Sequence, residues 1–185
     1  MIYVALLRGI NVGGNAKVEM SKLKATFESI GCLKVMTYIN SGNVVFEDKR
    51  SNAVLIKEIE AAITKSFDLK IRIVLRNIEN IIKLSKEIPL NLTNDSEQKT
   101  DVLFLWKEID HPSVIKKVVI NPNLENVNYI EGALVWNIKR KDIAKGSGVK
   151  LLKTDLYQHI TVRNINTVRK LKELMEKVRE ESKKT

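Results

Sequence analysis

The sequence predicts an α+β protein in which one structural unit is used twice, and three observations predict it. Arg76-Asn77-Ile78 with Ile81, Lys83 and Leu84 returns 87 residues later as Arg163-Asn164-Ile165 with Val168, Lys170 and Leu171. Tyr38-Ile39-Asn40-Ser41-Gly42-Asn43-Val44-Val45-Phe46 has an echo 90 to 91 residues on, in Tyr129-Ile130-Glu131-Gly132-Ala133-Leu134-Val135-Trp136. In both halves, strand-like and helix-like apolar spacings follow one another in the same order. Self-similarity at a nearly constant offset determines architecture before any local pattern does.

Residues 2–7 are apolar throughout and read as a strand buried on both faces rather than a leader. Residues 8–17 form a loop rich in Gly and Asn. Ser21 is expected to cap a helix with Leu23, Phe27 and Ile30 on one face, closed by Gly31. Residues 34–39 and 43–47 read as strands around Asn40-Ser41-Gly42, a hairpin turn in which Gly42 supplies positive φ. Leu55, Ile59 and Ile63 predict a helix over about 52–66. A strand at 70–76 and a helix at 78–88, ended by Pro89, complete the first half. The polar stretch 89–100 reads as a linker, which separates domains at 1–92 and 93–185.

The second half repeats the order. It has a strand at 101–106, a short helix at 112–119, a hairpin turn at Glu131-Gly132 and a short helix within 140–156. A strand at 159–163 and a last helix over about 165–180 follow, the helix carrying Val168, Leu171, Met175 and Val178 on one face. The simplest build for each half is a ferredoxin-like β-α-β-β-α-β unit with an extra helix and an antiparallel sheet. That topology returns the chain to the same edge, so the 8–18 loop and the 40–43 hairpin should be neighbours. The second copy has no such loop, because Lys107-Glu108-Ile109-Asp110-His111-Pro112 contains no glycine.

Hydrophobic content of 44% and charged content of 29% are those of an ordinary globular chain. No apolar run reaches the roughly 18 residues that span a bilayer, so no membrane partner is expected. A single cysteine, Cys32, excludes an internal disulfide and fits the cytoplasm. With one cysteine and two histidines, a His/Cys zinc site is not expected. The net charge of +10 divides evenly, with 14 basic residues against 9 acidic in 1–92 and 18 against 13 in 93–185. Residues 139–172 concentrate it, with ten Lys/Arg against Asp142 and Asp155.

Ala5-Leu6-Leu7-Arg8-Gly9-Ile10-Asn11-Val12-Gly13-Gly14-Asn15, followed by Met20, Leu23 and Gly31, resembles a bacterial family, as does Thr37-Tyr38-Ile39-Asn40-Ser41-Gly42-Asn43-Val44-Val45-Phe46. It is the family called domain of unknown function 1697. Thr161-Val162-Arg163-Asn164 with Thr167, Val168 and Leu171 is similar to its final motif, which departs at Ile165 and Asn166 where a Trp and an Arg are expected. The resemblance implies an α+β fold of ferredoxin-like subdomains. It implies no substrate, reaction or catalytic residue.

The 8–17 loop is the best candidate site. The amides of Gly13 and Gly14 can converge on an anion, Arg8 and Lys17 can add charge-assisted bonds to phosphate, and Asn11 and Asn15 supply amides. Ser41, Gly42 and Asn43 join the candidate set through their expected proximity. The alternative is that these residues only shape a tight loop and hairpin. The spacing matches neither a P-loop nor a dinucleotide fingerprint, and nothing names a cofactor. Lys139, Arg140, Lys141 and Arg163 form a second, basic candidate surface. Arg76-Asn77 and Arg163-Asn164 sit at strand-to-helix junctions and read as capping or bridging residues. Tyr3, Phe46, Phe104 and Trp136 read as core rather than as a base-stacking platform.

Three functional readings follow. The first is a binder of a phosphate-bearing ligand, with nucleic acid ahead of a nucleotide or phosphorylated small molecule. The second is an enzyme acting on such a metabolite, and the third is a protein-interaction adaptor without a ligand.

Overall fold

The computed structural model describes residues 1–12 and 16–183. Packing groups the chain into two compact units, Met1–Ile81 with Leu171–Thr185, and Ile82–Lys170. Each unit carries a four-stranded antiparallel sheet.

In the first unit, β1 (Ile2–Leu7), β2 (Leu33–Tyr38), β3 (Asn43–Glu47) and β4 (Ile73–Asn77) lie in the order β2-β3-β1-β4. Two helices, α1 (Met20–Ser29) and α2 (Asn52–Phe67), cover one face. Their Leu23, Phe27, Leu55, Ile59 and Ile63 bury against Tyr3, Ala5, Leu7, Val44, Phe46, Ile73 and Leu75. Full burial of such side chains is worth about 1.5–3 kcal/mol each. Phe46 sits between Phe27 (5.3 Å, edge to face) and Tyr3 (5.8 Å). The alternate residues Ile2, Val4 and Leu6 are buried too, so β1 is covered on both faces as its unbroken apolar run predicts. A β-bulge between Leu33 and Met36, with Lys34 at φ +51°, offsets β2 against β3.

Helix α1 starts one residue before the expected cap. Glu19, not Ser21, holds the N-cap position, and the Ser21 hydroxyl donates to the Glu19 carboxylate instead. Its other end follows expectation, with Gly31 at φ +87° donating to the Glu28 carbonyl at 3.0 Å.

In the second unit, β5 (Gln98–Leu105), β6 (Glu125–Ile130), β7 (Ala133–Lys139) and β8 (Ile160–Asn164) lie in the order β6-β7-β5-β8. Here the helices differ from expectation. In place of an α-helix between β5 and β6 there are 3₁₀ turns at Lys107–Ile109 and Pro112–Lys117. Between β7 and β8 the single expected helix is broken into three pieces, a 3₁₀ turn at Arg140–Lys145, α4 (Gly148–Leu151) and a 3₁₀ turn at Asp155–His159. Gly146-Ser147-Gly148 interrupts that stretch with residues of low helix propensity. Strand β5 begins inside the expected linker. Asn137 donates to Gln98 (2.7 Å) and Thr100 (2.8 Å), and the Thr100 hydroxyl donates to the Thr93 carbonyl (2.7 Å).

Helices α3 (Ile78–Glu87) and α5 (Ile165–Lys183) follow the last strand of each sheet. Both are capped from the repeated Arg-Asn pair. Asn77 Oδ1 accepts from the Asn80 N–H at 2.9 Å, and Asn164 Oδ1 accepts from the Thr167 N–H at 2.8 Å. The end of α5 belongs to the first unit. Ser182 accepts from Lys34 Nζ (2.8 Å) and donates to the Glu47 carboxylate (2.7 Å) there.

Candidate functional site

The loop after β1 is built outward from the strand end. The Leu7 N–H donates to the Gly42 carbonyl at 2.8 Å and the Arg8 N–H to the Arg72 carbonyl at 3.2 Å. The chain then turns through Gly9 (φ +71°) and Asn11 (φ +54°). The Asn11 N–H donates to the Ala16 carbonyl at 3.1 Å. Asn11 Nδ2 donates to the carbonyls of Val18 (2.9 Å) and Asn40 (2.8 Å), and its Oδ1 accepts from the Val18 N–H (2.8 Å). One side-chain amide therefore ties both ends of the loop and the hairpin together. The structure thus brings together the loop and hairpin that the topology makes neighbours.

The hairpin is equally determined. Asn43 is fully buried and donates to the Tyr38 carbonyl and the Ser41 hydroxyl, both at 3.0 Å. Gly42 has φ +75°, and a Cβ there would stand 2.6 Å from Ile10 Cδ1 and 2.7 Å from Leu7 Cβ. No other residue fits that close approach without movement. Asn11, Ser41, Gly42 and Asn43 thus hold the shape of the site.

Arg8 is half-buried and Lys17 exposed at the two ends of the loop. Gly13, Gly14 and Asn15 lie outside the described residues. Beside the loop is an open depression of about 720 Å³, lined among others by Asn11, Lys17, Asn40 and the first turn of α1. A helix N-terminus favours an anion there, and the Glu19 carboxylate opposes one. In the second unit, the side chain of Asp110 does the comparable bracing. It accepts from the Gly132 N–H and the Tyr129 hydroxyl, both at 2.9 Å.

Of the expected basic surface, Lys139 and Lys141 are exposed. Arg140 is exposed but tethered, donating through Nε to the Asp95 carbonyl and through Nη2 to Asn94 at 3.3 Å. Arg163 does not belong to that surface. It is only 7% exposed because it shares a buried face of β8 with Thr161, and it donates to the Val162 carbonyl (2.8 Å) and the Thr161 hydroxyl (3.1 Å). Burial pushes its guanidinium down to about 10, so it stays charged at neutral pH.

His111 and His159 serve local turns, through Ser113 and the Asp155 carbonyl. Cys32 is buried, and desolvation with the neighbouring Asp48 pushes its thiol up to about 12, which makes it a poor nucleophile. Among the described residues no group of three or more His, Cys, Asp or Glu is placed to hold a metal, and no helix is long and apolar enough to cross a membrane. Tyr3, Phe46, Phe104 and Trp136 are all buried. A cavity in the second unit, lined by Trp136, Glu125 and Tyr157, is not anticipated by any motif. The Gly146-Ser147-Gly148 break is the one sequence signal that points toward it.

A family model described as a protein of unknown function (DUF1697) matches residues 1–136. That range includes the whole loop and hairpin. Among solved structures, the chain is similar to the conserved bacterial protein SP0830 from Streptococcus pneumoniae. The two share 30% identity over 94% of this chain and 98% of that one, with a TM-score of 0.82. No curated protein matches the chain.

Proposed function

Because this chain belongs to DUF1697, a family of unknown function, kinship supplies no reaction, and we propose its role from the site alone. It binds a phosphate-bearing ligand at the loop after β1, with nucleic acid ahead of a nucleotide or phosphorylated metabolite. The observation that carries this reading is the threefold bond set of Asn11, which ties the chain just after Arg8 to Val18, next to Lys17, and to the hairpin at Asn40 before any ligand arrives. A site organised in advance loses less entropy on binding. Arg8 and Lys17 supply the positive charge, and the first turn of α1 supplies N–H groups beside it. The openness of the depression favours an extended polyanion over an enclosed metabolite.

The test is a titration of the protein with short single-stranded RNA and duplex DNA at about 50 and 200 mM salt. Binding should weaken with salt, and Arg8→Ala and Lys17→Ala should each reduce the log–log salt slope by about 1. Glu19→Gln should tighten binding by removing the opposing charge. Absence of binding at low salt, or variants indistinguishable from the parent, would refute the reading.

We also read the two units as copies of one ferredoxin-like fold, with the duplication boundary at 92/93. Supporting this are the shared strand order and four paired main-chain bonds. Leu7 to Gly42 (2.8 Å) and Arg8 to Arg72 (3.2 Å) correspond to Leu105 to Gly132 (2.9 Å) and Trp106 to His159 (3.1 Å). The lone, buried cysteine supports a cytoplasmic home.

A further inference from the structure

The two sheets carry different covers on the face that bears Phe46 in one and Trp136 in the other. In the first unit, the 16-residue α2 lays Leu55, Ile59 and Ile63 on the sheet. In the second, the residues of the broken stretch from Arg140 to His159 whose burial is described add Leu151 and Leu156 to the buried core. Between this stretch and the sheet lies a cavity of about 340 Å³. That is the size of a small ligand site. Trp136 and Leu103 line it from the sheet, and Leu151 and Tyr157 from the broken stretch. Ile143 and Leu152 line it as well, and both are among the large apolar side chains left exposed.

The polar groups of this cavity are not symmetric in charge. Strand register places Asp101 directly opposite Trp136, and Glu125 one pair along on the other flank, opposite Ile138. Lys99 and Asp101 pair at 3.0 Å and cancel. Glu125 is 5% exposed, and its carboxylate accepts the N–H groups of Ser147 (2.6 Å) and Asn121 (2.9 Å). Among the described residues no basic side chain forms an ion pair with it. The chain passes over this carboxylate at Gly146, where a Cβ would stand 2.7 Å from Glu125 Oε1. The carboxylate is thereby held in place, and the cavity carries one uncancelled negative charge next to an indole.

We propose that this cavity binds a small amphipathic amine. Its apolar or aromatic body lies between Trp136 and Leu151, and its cationic nitrogen sits on the Glu125 side, within the field of Asp101. An indole face flanked by carboxylates attracts a cation by both quadrupole and charge. The site is independent of the phosphate site, since it is formed wholly by residues of the second unit.

The experiment titrates the full-length protein with phenethylammonium and, separately, with 3-phenylpropionate, which has the same body and the opposite charge. Tryptophan emission and ligand-observed NMR report binding. Phenethylammonium should bind saturably and the anion should not. Asp101→Asn should weaken the amine about fivefold, and Lys99→Met should strengthen it by a similar factor. Both positions are partly exposed, so their melting temperatures should stay near the parent's and separate binding from folding. Equal binding of the anion, unchanged affinity in both variants, or no binding of either probe at millimolar concentration would overturn the proposal.

Discussion

A Cβ on Gly42 would collide with Leu7 and Ile10, and its φ of +75° disfavours any side chain. Gly9 has a similar φ of +71° but open space around its Cα. Gly42→Ala should therefore cost about 2–4 kcal/mol and Gly9→Ala only about 1, measured by urea unfolding. Equal costs would mean that conformation alone, not packing, selects glycine at position 42. Asp48 gives the pH dependence. The Arg50 guanidinium bonded to it holds this buried carboxylate at about 2, against an ordinary 3.8. The resulting stabilisation, of order 2 kcal/mol, is complete above about pH 4 and is lost as pH falls toward 2. Comparing Asp48→Asn with the parent at pH 5 and pH 2.5 should show a stability gap that narrows at the lower pH. A gap independent of pH would contradict the pairing.

Among elements, the strongest sequence signals were those with a short period or a defined cap. The apolar run of β1, the hairpin at Asn40-Ser41-Gly42 and the repeated Arg-Asn junctions all appear where the pattern places them. Asn77→Ala and Asn164→Ala should each lower stability by about 1 kcal/mol, because each removes the acceptor for a first-turn N–H. Unaltered unfolding midpoints would reduce the repeated Asn to a coincidence of sequence. The pieces between β7 and β8 were not legible, since 3₁₀ turns and a four-residue helix have no period to read. Arg163 was misread for a related reason. Its charge suggests surface, while its alternation with Val162 on a strand covered on both faces places it inside. The cavity in the second unit matches no motif for a different reason, as its lining comes from residues far apart in the sequence, from Lys99 to Val162, and only the Gly146-Ser147-Gly148 break points toward it.

At the scale of the whole molecule, one strand order serves two units that differ in what surrounds the sheet. In the first, two full helices cover one face, and Asn11 ties Val18 to the hairpin. In the second, short turns connect the strands, and Asp110 braces the hairpin. The β-α-β path made the meeting of loop and hairpin legible, because strands running the same way deliver their ends to one edge. The hydrogen bonds that give the loop its shape were not legible, since Asn11 reads equally as a ligand-facing amide. The most direct test of the proposed phosphate site is amide chemical-shift mapping of the full chain with a short single-stranded RNA at low salt. Shifts concentrated at residues 8–12, 16–18 and 40–43, and abolished in Arg8→Ala, are the predicted result. Shifts confined to other parts of the chain, or none at saturating RNA, would contradict it.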